Sequence, residues 1–363
     1  MPKFVFDYAD GGAGDETTMQ RNRAAFEQLC IHPRQQVDVS DRSMATSVLG
    51  RPLPMPLLLG PTGLQRLVHR RADLEVAEAA GRAGIPFVVS ASTAFTVEEI
   101  ASAASADLWL QVYPWRDRAA LEHVIKRAEA AGFSTLVVTV DVPLLARRER
   151  DIRNGMSIPP RITPRNVYQG ARHPGWVTHL LRGPEITFVN FRDLVPESKG
   201  MALMKWVNEE LTNPGARWDE LRWLRQTWPG PMVVKGIMTV ADARLAVAEG
   251  ADAIVVSNHG GRQLDHAPST VEVLPRVVDA VGDRTEVLVD GGIRRGVDIL
   301  KALALGARSV LVGRPYWWGL AAGGSRGVSG VINILRDELD MAMALSGRPR
   351  VSDISRELLF PPD

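Results

Sequence analysis

The 363-residue sequence predicts an α/β protein, a (β/α)8 barrel, on three observations. Eight short runs rich in Val, Ile and Leu recur along the chain, each ending on a polar or glycine residue. The runs are continuous rather than alternating, as strands buried on both faces of a parallel sheet require. Amphipathic, often Ala-rich segments fill most of the intervals, and Gly84, Gly132, Gly250 and Gly306 each close one just before the next run. An open doubly wound sheet is the rival, but Gly291-Gly292 follows the seventh run rather than the first, and no G-x-G-x-x-G opens the chain.

The runs are 57–62, 86–90, 108–113 and 135–141, then 232–236, 253–258, 287–292 and 309–314, spaced as one βα unit per step. The helix after the third run shows the pattern best. Asp117 caps it, Leu121, Val124, Ile125 and Ala128 form one stripe, and Gly132 ends it. The interval 143–218 is too long for a compact loop. It follows the fourth strand, on the face where barrels hold their sites. It opens Pro-rich at 158–164, turns aromatic and apolar over 173–191, and predicts a helix over 201–211. The whole chain, 1–363, reads as one domain with this insertion as a lid or a membrane-contacting segment.

Composition narrows the class. With 45% hydrophobic and 23% charged residues, the chain is neither a fibre nor a disordered tail. The 43 Lys+Arg against 42 Asp+Glu leave a charge of +1, too little for a nucleic-acid field. Cys30 is the single cysteine, and no Cys/His cluster has zinc spacing, so no metal and a reducing, cytoplasmic setting are expected. No apolar run approaches the roughly 20 residues of a spanning helix. The expectation is a soluble protein, at most peripheral on a membrane.

The strand ends carry the chemistry. In order they present Thr62, Ser90, Gln111 with Tyr113, Thr139 with Asp141, Lys235, His259 with Arg262, Asp290 with Arg294, and Arg314. In a barrel these converge on one mouth. Asp290-Gly291-Gly292-Ile293-Arg294-Arg295-Gly296 and Gly313-Arg314 offer amides, a helix N-terminus and guanidiniums, which together predict a phosphate site. His259, just past a buried strand and followed by two glycines, is the candidate base, with Asp141 to orient its ring. Arg262 and Arg148 beside a base suggest a carboxylate substrate. Lys235 admits two readings: a Schiff base in an aldolase of phosphorylated sugars, or a fixed charge that stabilises an anionic cofactor ring.

The stretch Ser257-Asn258-His259-Gly260-Gly261-Arg262-Gln263-Leu264-Asp265, with the Asp290–Gly296 turn and Gly313-Arg314-Pro315, resembles the FMN-dependent 2-hydroxy acid dehydrogenase and oxidase family. That family includes glycolate oxidase and the lactate and mandelate dehydrogenases. The likeness extends from Pro2 to near Leu359 and implies FMN as cofactor, disfavouring the Schiff base. Members carry a further helix before the position of Pro2, so the barrel base is expected to be less well covered here. By the likeness, Tyr8, Arg148 and Arg262 would hold the substrate carboxylate and Tyr113 its hydroxyl. His259 would take the hydroxyl or α proton, with Asp141 stabilising the imidazolium. Lys235 would face the flavin N1 region. Pro61, Thr62, Gly63, Ser90, Gln111, Thr139 and Ser257 would line the ring and ribityl chain. Asp290, Gly292, Arg294, Gly313 and Arg314 would hold ribityl and phosphate.

Ser92 stands where short-chain glycolate oxidases place a tryptophan, and Gly63 is similar to the mandelate dehydrogenase version of that position. Both imply an (S)-2-hydroxy acid with a bulky or aromatic side chain, such as (S)-mandelate. The stretch from Arg172 to Arg192, with Trp176, Leu180, Leu181, Phe188 and Phe191 interleaved with Arg172, Arg182 and Arg192, is similar to a membrane-contacting loop. That implies a quinone-like acceptor, with O2 and release of H2O2 as the alternative. A homotetramer is expected from the same likeness.

Overall fold

Eight parallel strands close into a barrel in chain order: Leu57–Leu59, Phe87–Ser90, Leu108–Val112, Thr135–Thr139, Met232–Ile237, Ala253–Val256, Glu286–Val289 and Ser309–Val312, the eighth pairing with the first. The structure, a computed structural model, describes residues 1–103, 105–156, 163–194, 203, 205–207, 209 and 212–360. All eight expected strands are present, starting within a residue of the expected positions. Most of them stop one to three residues early. The polar terminal residues of each run leave the ladder and turn into the mouth.

Period-two geometry divides each strand between two cores. Leu58, Val88, Trp109, Val137, Val233, Val255, Leu288 and Leu311 fill the barrel interior. Leu57, Leu59, Val89, Leu110, Val138 and Val234 face outward, into the layer of helices. That two-sided burial explains the unbroken apolar runs. The helix Arg118–Ala130 starts where Asp117 Oδ1 accepts from the Ala120 amide at 3.0 Å. The last helix, Arg314–Leu345, is broken at Gly323 and Gly324 and packs against Ala72–Ala83.

Three features were not read from the sequence. A hairpin, Thr46–Val48 with Arg51–Leu53, turns through Leu49 and Gly50, both at positive φ, and pushes Val48 and Leu53 into the barrel interior. Two helices, Lys3–Asp10 and Thr17–Gln28, lie against the mouth.

The insertion docks on the barrel by its own inner face. Arg66, itself buried, donates to the carbonyls of Pro184 at 2.9 Å and Leu180 at 2.6 Å, the latter in the last turn of the helix Pro174–Arg182. Trp176 donates to the Leu67 carbonyl at 2.7 Å and packs edge-on against Phe4, and Phe188 and Phe191 are buried. Those three aromatics were expected at an interface; the need to cover the barrel turns them inward. Leu181, at 77% exposure, and Tyr168, at 63%, face solvent instead. Most of the Pro-rich stretch 158–164 and most of the helix expected over 201–211 lie outside the described residues.

Candidate active site

Polar strand ends ring one cavity of about 470 Å³ at the carboxyl face of the barrel. Of the residues nominated from the sequence, Tyr8, Pro61, Thr62, Gly63, Ser90, Ser92, Gln111, Tyr113, Thr139, Arg148, Lys235, His259, Arg262, Asp290, Gly292, Arg294, Gly313 and Arg314 line it. Asp141 and Ser257 stand behind that wall. Asp141 Oδ1 lies 2.9 Å from His259 Nδ1, and Ser257 Oγ accepts from Lys235 Nζ at 2.9 Å and from the His259 amide at 3.1 Å.

The backbone aims His259. It sits at φ +59°, followed by Gly260 and Gly261 at positive φ, so the chain coils left-handed just past the sixth strand. A non-glycine residue there costs about 1–2 kcal/mol. The bond to Ser257 and those from the Gly261 amide to the Asn258 carbonyl and Oδ1 hold the turn. Asn258 is in turn fixed by reciprocal 2.8 Å bonds with Asn22. With Nδ1 on Asp141, Nε2 is the nitrogen left for the cavity. Burial drives the His259 pKa below the usual histidine range, with Lys235 and Arg148 helping and Asp141 opposing. Burial raises that of Asp141, yet His259 and Lys235 hold it below the ordinary carboxylate range. The pair is therefore a neutral imidazole on a carboxylate at neutral pH.

Lys235 also meets Asp290 Oδ2 at 3.1 Å. Burial works against its charge, but Asp290 and Asp141 prevail and keep it protonated. A persistent ammonium is a poor nucleophile, which argues against the Schiff base. Arg262 donates to the carbonyls of Tyr8 at 2.7 Å and Gly11 at 2.9 Å, and its guanidinium lies over the Tyr8 ring. Burial, with Arg148 beside it, brings its pKa down to about 10, so it remains cationic. Burial and Asp141 raise the Tyr113 pKa, which keeps its hydroxyl a donor.

The anion end differs in detail from the expectation. Arg314 lines the cavity but spends its donors on the carbonyls of Ala9, Asp10, Gly11 and Gly260, tying the N-terminal segment to the mouth. Gly292 is needed for packing: a Cβ there would stand 2.2 Å from the Asn22 carbonyl oxygen. What remains open is the set of amides at Gly292, Ile293, Gly313 and Arg314, which find no acceptor among the described residues, together with Arg294. That set suits a phosphate. Thr139 Oγ1 and Asp290 Oδ1 are buried with no partner, and such orphans call for a ligand. A carboxylate oxygen awaiting a donor fits a ribityl hydroxyl, and the cationic Lys235 fits an anionic reduced ring. The residues fit FMN.

Leu145, Ile152, Met156, Phe188, Asp151 and Trp317 also line the cavity and were not nominated. Most come from the insertion, which has no periodic pattern to place them. Asp151 did carry a signal: it follows Arg148 by three residues at a helix start, which puts the two side by side.

A parallel barrel whose mouth joins an anion cradle, a fixed ammonium and a carboxylate-held imidazole defines an FMN-dependent oxidoreductase. The chain belongs to the FMN-dependent dehydrogenase family, whose pattern matches residues 1–361, and it oxidises 2-hydroxy acids with FMN. It is 44% identical to the L-lactate oxidase of Nostoc sp. over 99% of this chain and 94% of that one. It is 42% identical to a peroxisomal (S)-2-hydroxyacid oxidase of Arabidopsis thaliana, over 98% of this chain and 92% of that one. Among solved structures, a monotopic membrane protein, (S)-mandelate dehydrogenase, superposes with a TM-score of 0.95 at 40% identity, covering 100% of this chain and 96% of that one.

Proposed function

We propose that the protein oxidises (S)-2-hydroxy acids with a bulky or aromatic side chain, such as (S)-mandelate, to 2-oxo acids and passes the electrons to a quinone-like acceptor. The observation that carries the substrate reading is the small wall at Ser92 and Gly63. A Cβ built on Gly63 would meet nothing closer than the Ser92 carbonyl oxygen at 4.0 Å, so this side of the cavity has room. The likeness to (S)-mandelate dehydrogenase supports it.

In the mechanism, Arg148, Arg262 and the Tyr8 hydroxyl bind the substrate carboxylate, and two guanidiniums fix its orientation. The protonated Tyr113 hydroxyl bonds the substrate hydroxyl. His259 Nε2 takes the proton, from the hydroxyl or from the α carbon, and Asp141 stabilises the imidazolium that results. Gln111, Thr139, Ser90, Thr62 and Pro61 would line the cofactor, Ser257 holds Lys235 and His259 in place, and Asp290, Arg294, Gly313 and Arg314 would hold its ribityl and phosphate. Lys235 supplies positive charge beside the ring. Bound FMN supplies the two-electron sink.

Reduction of O2 with release of H2O2 is the second reading, favoured by the 44% identity to an L-lactate oxidase. Turnover of (S)-mandelate under air and with a soluble quinone separates the two. Peroxide formed at the quinone rate would replace the dehydrogenase reading with the oxidase one. The exposed Leu181, Tyr168 and Val167, with Arg165, Arg172 and Arg182 nearby in sequence, support peripheral membrane contact through this part of the insertion.

A further inference from the structure

Asp151 is the acid of the mouth that the mechanism does not use. It lines the cavity with Arg148, Arg262 and Tyr8, is only 8% exposed, and leaves Oδ1 buried with no partner. The neighbouring acids are all engaged. Asp7 bonds Lys3 and Asn154, Asp10 and Glu16 pair with Arg150, Asp141 holds His259, and Asp290 meets Lys235. No side-chain donor among the described residues reaches Asp151. The charges around it are Arg262, Arg148 and Arg150 against Asp7. Arg148 Nε is likewise buried without an acceptor. A buried acid left unbonded beside two guanidiniums that themselves have donors to spare serves the pocket as charge rather than as a hydrogen-bond strut.

We propose that Asp151 sets the charge of the substrate pocket: it offsets one of the two guanidiniums of Arg148 and Arg262, so the pocket is matched to a monocarboxylate and selects against a second acid group. The inference rests on reading those arginines as the carboxylate clamp. Two guanidiniums alone would attract a dianion more strongly than a monoanion, because each added negative charge gains the full interaction in a poorly screened site. Asp151 removes that advantage.

The test is a titration of the FMN-loaded enzyme at pH 8, followed by flavin absorbance, with pyruvate as the monoanion and oxalate as the dianion. In Asp151→Asn, oxalate should tighten relative to pyruvate by about tenfold or more, as a unit charge removed at short range implies. Asp151→Glu should restore the original ratio. An unchanged ratio in Asp151→Asn overturns the proposal, even if both anions weaken together, because a structural role would move both equally. Asp151→Ser repeats the test if the amide does not fold. Failure of both to fold while Asp151→Glu folds would assign the carboxylate to stability instead. Arg148→Lys and Arg262→Lys test the underlying clamp separately: if neither weakens pyruvate, that reading fails on its own.

Discussion

At the scale of single residues the account turns on His259. General-base loss typically costs 10²–10⁴ in rate. His259→Gln should keep its flavin and bind pyruvate, yet reduce at least about a hundredfold more slowly in anaerobic stopped flow; near-normal reduction would remove it from the mechanism. The pH profile follows from the same environment. The active form is the neutral imidazole, so activity falls as pH drops through its pKa, which burial places below the usual 6.5. The acid limb of kcat/KM for reduction should therefore lie below pH 6.5, and a limb above pH 7 would contradict the assignment. These residues were legible because a charged or hydrogen-bonding side chain ending a fully apolar strand has few structural uses. Asp151 was legible only through its spacing of three from Arg148, because it lies in the insertion, outside the strand pattern. Gly292 answers to packing as well as to the cradle read from the sequence: the Asn22 carbonyl leaves no room for a side chain there, and the residue still lines the cavity.

At the scale of elements, the barrel strands could be read because burial on both faces leaves them unbroken apolar runs. The hairpin at 46–53 and the two N-terminal helices could not, because their stability comes from plugging the barrel floor and from bonds to the sixth-strand loop. Asp265 shows the latter, accepting from the amides of Asp15 at 2.9 Å and Thr18 at 2.8 Å. One element carries a built-in cost. Asp73, in the first turn of the helix Ala72–Ala83, is fully buried and accepts from Thr93 Oγ1 at 2.6 Å. Burial pushes its pKa up from 3.8 to about 6, against the Thr93 bond. The native state thus holds this proton more tightly than the unfolded chain does. The ionisation penalty is absent below about pH 4, grows as pH rises to about 6, and is complete at neutral pH. Asp73→Asn should stabilise the protein by about 1–3 kcal/mol at pH 7.5 and confer no advantage at pH 4 in paired melting curves. A gain that does not depend on pH would rule out the charge as its cause.

At the scale of the whole molecule, the insertion has two faces. Arg66, Trp176, Phe188 and Phe191 tie one to the barrel, and Leu181 and Tyr168 leave the other open. Replacing both exposed residues by glutamate should abolish sedimentation with phosphatidylglycerol vesicles while leaving flavin reduction unchanged. Unaltered sedimentation would exclude this face as the contact. The central claim is that this mouth oxidises a bulky 2-hydroxy acid through FMN. The most direct measurement is anaerobic stopped-flow reduction of the flavin by (S)-mandelate and by glycolate, in the unmodified enzyme and in Ser92→Trp. The account predicts that (S)-mandelate bleaches the flavin faster than glycolate and that the tryptophan, by filling the space beside Gly63, reverses the order. Glycolate outpacing (S)-mandelate in the unmodified enzyme would contradict it.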